Sequence, residues 1–143
     1  MRTSATFDVA SSPDEVATYL ANPRNLLMAN HKGPVVDQSE PPTRTGSWYV
    51  LAFDQIRVRI EYTTFEPPAL IAISVGYSGR GSAGLQGTDV YRLAPLPGGS
   101  GTRVSLDAEK SGGWAPDAIN RLLWRWSINR LQRRMDAVIA GTR

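Results

Sequence analysis

Five consecutive stretches between residues 46 and 109 alternate apolar and polar side chains, and one long helical pattern follows them. That alternation is what most limits the fold, because it describes strands with one covered face and one face toward water. GSWYVLAF and IRVRIEYTTFE are separated only by Asp54-Gln55, a length that suits a tight hairpin. In the second of them Ile56, Val58, Ile60 and Tyr62 share one face, and Arg57, Arg59 and Glu61 the other. Pro67-Pro68 breaks the chain before LIAISVGY, where Ile71, Ile73, Val75 and Tyr77 form the bulkier face. LQGTDVYRLAP and TRVSLDAE follow, joined by the loop PLPGGSG. From about Pro116 to Ile139 the pattern is one helix, with Pro116 suited to its first turn and Gly141 to its stop.

The start of the chain adds a strand and two short helices. Ala5, Phe7 and Val9 alternate with polar residues. In SSPDEV, Ser12 is a candidate N-cap, Pro13 fits the first helical position, and Glu15 completes a capping box. Asn22-Pro23 ends that helix and caps a second short one, expected to run to about Asn30. The predicted fold is α+β: about six antiparallel strands with helices on a single face, in one domain spanning 1–143.

Composition excludes several chemistries. There is no cysteine and a single histidine, His31, so thiolate and histidine-cluster metal sites are out of reach. No cofactor is expected. A hydrophobic fraction of 41% with 20% charged residues is ordinary globular composition. The net charge of +3 is small for a nucleic-acid binder, so no nucleic acid is expected as a partner. Arg121, Arg125, Arg130, Arg133 and Arg134 crowd the last helix as a solvated face. No leader-like opening or membrane-length apolar run is visible, so the expected setting is cytoplasmic, without membrane insertion.

The order of elements, with FDVASSPDEVATYLANPRN at the start, RLAPLPGGSGTRVSLDAE late and a long final helix, resembles the START-like helix-grip (SRPBCC) superfamily. It is most similar to the polyketide cyclase/dehydrase-like branch, over nearly the whole chain. The resemblance implies a curved sheet wrapped around the terminal helix, with a ligand cavity between them and its mouth at the small helices and strand loops. Members often carry a tryptophan shortly after the NP turn. Here the stretch is LLMANH, where Met28 can repack around different shapes.

If the bulky strand faces line that cavity, it is bordered by Val58, Ile60, Ile73, Val75, Tyr77 and Leu93, with Tyr62 and Tyr91 able to present hydroxyls. Asp89 shares their parity and is the one carboxylate placed toward the apolar side. It is a candidate acid/base group or polar anchor, with Tyr62 and Tyr91 as candidate catalytic partners; the alternative is a hydrogen-bonded aspartate, or one turned outward by a bulge at Gly87. His31 is either a proton shuttle at the mouth or an exposed loop residue. GRGSAG lies between strands and does not open a helix, so it reads as a mobile loop near the mouth and not a phosphate cradle.

On the last helix Trp124, Ile128, Leu131, Met135 and Val138 cluster on the buried side, so Trp124 points inward. Ile119, Leu122 and Trp126 form a second stripe, and Leu123 lies between the two. That stripe needs a cover: the small helices and the SGGW segment with Trp114, or a second subunit in a homodimer. The function expected is binding of a hydrophobic aromatic, polyketide- or lipid-like molecule. Whether cyclase or dehydratase chemistry accompanies binding is left open, against a non-catalytic carrier or sensor and a protein-interaction module acting through Trp126.

Overall fold

A computed structural model describes residues 1–27, 33–82, 84–113 and 116–142, with the side chains of Phe53, Asp117, Asn120 and 137–142 set aside. The elements run β1 (Arg2–Val9), α1 (Pro13–Leu20), a 3-10 turn (Pro23–Asn25), β2 (Val35–Gln38), β3 (Trp48–Phe53), β4 (Ile56–Glu66), β5 (Leu70–Gly79), β6 (Gln86–Pro95), β7 (Thr102–Ser111) and α2 (Asp117–Thr142). All seven strands form one antiparallel sheet in the order β1-β7-β6-β5-β4-β3-β2. The first strand thus closes onto the last, and helices cover one face, as the helix-grip pattern requires.

Local chemistry explains the boundaries. The Ser12 side chain accepts from the Glu15 amide at 3.2 Å and the Glu15 carboxylate accepts from the Ser12 amide at 3.2 Å, which closes the capping box of α1. Asn22 caps the 3-10 turn through its side-chain oxygen, 3.1 Å from the Arg24 amide. The β3–β4 hairpin turns on Asp54-Gln55, with Asp54 at φ 52 in the left-handed region that aspartate tolerates. β4 carries a bulge between Tyr62 and Thr64, which bends the strand and adds to the curvature of the sheet.

Three features differ from the sequence reading. β2 is a seventh strand that alternation did not reveal, because only Val35 of its four residues is even partly buried. The second short helix is a single 3-10 turn ending at Asn25. α2 runs through Gly141 to Thr142; a glycine in the last turn costs only about 1 kcal/mol relative to alanine, too little to end a helix.

The inner face of the sheet and the facing helices make one core. Val58, Ile60, Tyr62, Ile71, Ile73, Val75, Tyr91, Leu93, Val104 and Leu106 point inward from the strands. Val16, Ala17, Tyr19 and Leu20 meet them from α1, and Trp124, Ile128, Leu131 and Met135 from α2. The Gln132 amide donates to the Asp8 carbonyl at 3.1 Å, tying α2 to the free edge of β1. Among the described residues no helix is long and apolar enough to cross a membrane.

Candidate functional site

Asp89 stands on β6 between Ile73 of β5 and Ala108 of β7, in unbroken register with both, so no bulge at Gly87 turns it outward. It is 1% exposed, and neither carboxylate oxygen has a hydrogen-bond partner among the described residues. Burial in this apolar setting lifts its pKa to about 7, and the Lys110 ammonium partly opposes that rise. Near neutral pH the group is therefore divided between its protonated and ionised forms.

The neighbours of Asp89 come from β5, β6 and β7, and one of them, Lys110, reaches the last helix. Lys110 follows Ala108 by two on β7 and so shares its inward parity, and its ammonium lies 4.8 Å from the centroid of the Trp124 ring on α2. Gly87 sits directly opposite Lys110. A Cβ there would come 2.5 Å from the Glu109 carbonyl oxygen, so only glycine permits this approach of β6 to β7. Burial, then the negative charge of Asp89, raises Tyr77 to about 12, and the same two causes, in that order, raise Tyr91 well above its ordinary value. The indole nitrogen of Trp124 is buried and, like the Asp89 oxygens, has no hydrogen-bond partner among the described residues.

Two tyrosine hydroxyls are tied to the backbone. Tyr62 donates to the Leu20 carbonyl at 2.6 Å, fixing the end of α1 to β4, and burial drives its pKa far upward. Tyr91 accepts from the Leu27 amide at 3.1 Å, which leaves its own proton to give. Rings of Tyr49 and Phe65 pack edge-on against Tyr62, each with centroids 5.8 Å away.

Of the sequence-predicted lining residues, Val58, Ile60, Ile73, Val75, Leu93 and Trp124 are buried on the inner side, and Tyr77 is partly buried beside them. Met28, His31 and Trp114 lie outside the described residues. Lys110 is the group that the sequence reading passed over. Its parity with Val104, Leu106 and Ala108 was visible, but a lysine near a strand end reads by default as solvated. Among the described residues there is no cluster of three or more His, Cys, Asp or Glu that could hold a metal ion.

Beside Trp124 a groove of about 460 Å³ separates β1 from α2. Ala5, Phe7 and Ile128 contribute its apolar wall, and Arg2, Arg121 and Arg125 its basic one. On the far side of α2, Ile119, Leu122, Leu123 and Trp126 are 48%, 50%, 47% and 59% exposed. Leu123 therefore belongs to the outer stripe.

The fold has many solved counterparts. A conserved protein from Geobacillus kaustophilus is similar with a TM-score of 0.76 at 14% identity, covering 99% of this chain and 97% of that one. The Mll3558 protein from Rhizobium loti gives a TM-score of 0.65 at 18% identity, covering 93% and 96%. DynU16, a putative protein in the dynemicin biosynthetic locus, gives 0.58 at 20% identity over 92% of this chain and 46% of its own. No curated protein sequence matches. At such identities the likeness is one of fold, but the sequence itself matches a family model over residues 1–140: the chain belongs to the family described as polyketide cyclase / dehydrase and lipid transport.

Proposed function

We propose that the protein takes up a hydrophobic, aromatic or polyketide-like small molecule between the inner face of the sheet and α2, with Asp89 as its polar contact. The observation that carries this reading is the Asp89 carboxyl, buried and without a hydrogen-bond donor among the described residues. A buried polar group that meets nothing costs on the order of 1–3 kcal/mol, and more when charged, so its retention argues for a partner that the protein alone does not supply. The buried Trp124 indole N–H, also without a partner, offers a donor near the same lysine.

Catalysis would use the divided protonation of Asp89. Its ionised form takes a proton from an activated methylene, while the Tyr91 hydroxyl donates to the carbonyl oxygen where the enolate charge collects. The carbon then attacks a second carbonyl of the folded chain, whose oxygen receives the proton from Asp89. Dehydration follows when Asp89, ionised again, takes the remaining proton of the attacking carbon and returns it to the departing hydroxyl, which leaves as water as the carbon–carbon double bond forms. Holding the chain folded supplies much of the rate in such a scheme. Tyr62 has its hydroxyl committed to Leu20, so its part is to hold α1 against the sheet.

The second reading is carriage of a lipid-like ligand without turnover, favoured by the engagement of both Tyr62 and Tyr91 with backbone groups. Native mass spectrometry of freshly purified protein tests the common premise. The parent should hold a small hydrophobic molecule, or take up an added anthraquinone or fatty acid, and Asp89→Leu should change which of these is retained. A parent that binds none of them overturns both readings. If a bound candidate is converted by the parent but only bound by Asp89→Asn, the enzyme reading stands; if neither converts it, the carrier reading does.

A further inference from the structure

We propose that the outer face of α2 is a docking surface for an anionic lipid bilayer. At 100° per residue, Ile119, Leu122, Leu123 and Trp126 fall within about 100° of one another around the helix, opposite the buried stripe of Trp124, Ile128, Leu131 and Met135. Among the described residues they are four of the five large hydrophobic side chains found exposed, the fifth being Val36 on β2. Arg130 and Arg133 continue the same face toward the C-terminus, and Arg121 and Arg125 border it on the β1 side. All four arginines are exposed. No carboxylate occurs between residues 118 and 135; the carboxylates Asp117 and Asp136 of α2 flank that stretch, so the side chains among which the strip lies are positive or neutral.

Charge and area choose the occupant. Two copies meeting through this face would bring arginine clusters together, which like-charge repulsion opposes. Four side chains about half exposed offer on the order of a few hundred Å², short of the roughly 800 Å² per partner of a stable complex. A bilayer needs no shaped counterpart. Tryptophan and leucine enter the boundary of headgroup and acyl chain, and arginines on the flank and beyond meet lipid phosphates. α2 stays folded on the sheet throughout, since its opposite stripe is held in the core; this is contact with the membrane surface and not insertion through it. The inference does not depend on what the interior binds.

The test is co-sedimentation of the full chain with phosphatidylcholine vesicles containing about one third phosphatidylglycerol, against phosphatidylcholine alone. Binding should require the anionic lipid and fall as salt is raised. Leu122→Gln with Trp126→Gln, and separately Arg130→Glu with Arg133→Glu, should each weaken it on the order of tenfold while leaving the far-UV circular dichroism unchanged. Absence of binding to the anionic vesicles at low salt overturns the proposal, as does binding that both double variants retain. A parent that is dimeric by light scattering, with Leu122→Gln monomeric, assigns the strip to a second copy instead.

Discussion

Asp89 makes stability depend on pH in a direction opposite to most acidic residues. An ordinary aspartate has a pKa near 4, whereas this one titrates at about 7 in the folded chain. Below about pH 4 both states are protonated and nothing is lost. Between about 4 and 7 the unfolded chain gives up its proton while the folded one keeps it, so stability falls as pH rises, by up to roughly 4 kcal/mol at completion. Asparagine carries no such penalty. Asp89→Asn should therefore unfold at a higher temperature than the parent at about pH 8, with the difference shrinking toward about pH 5. Thermal melts at the two pH values check this, and a gap that does not change with pH would show that Lys110, Tyr77 and Tyr91 stabilise the ionised form after all.

The elements show where a sequence speaks and where it does not. Strands with one covered face were legible because burial imposes a period of two: β4 reads Val58, Ile60, Tyr62 inward and Arg57, Arg59 outward. β2 was illegible because a short edge strand buries almost nothing and leaves no pattern to read. Parity set Asp89 on the apolar side but left open a bulge at Gly87 that would turn it outward, and its lack of a hydrogen-bond partner among the described residues depends on side chains from neighbouring strands, which no linear spacing reports. Nor could spacing reveal that Tyr62 spends its hydroxyl on Leu20. That bond joins β4 to the end of α1, and Tyr62→Phe leaves a buried carbonyl without its donor. The expected cost is about 1–3 kcal/mol, read as a lowered urea midpoint with unchanged slope. An unchanged midpoint would mean that water replaces the hydroxyl there.

Across the whole molecule, α2 works as a wedge with two unlike faces. Met135 is fully buried and Trp126 is 59% exposed, though both are large apolar residues on one helix. Met135→Ala should cost about 2–5 kcal/mol in chemical denaturation, and Trp126→Ala no more than about 0.5. Similar losses for both would mean that Trp126 is packed. The order of the strands carries one further consequence, for synthesis on the ribosome. β1 pairs with β7, joining Arg2 to Glu109 and Val9 to Thr102, so the first strand has no neighbour until about a hundred later residues have emerged. Phe7 and Val9 lack their β7 partners until that strand emerges, whereas β3 to β6 can form their hairpins before it. Closure of the sheet, and the docking of α2 that follows it, waits for the ribosome to release β7 and then α2.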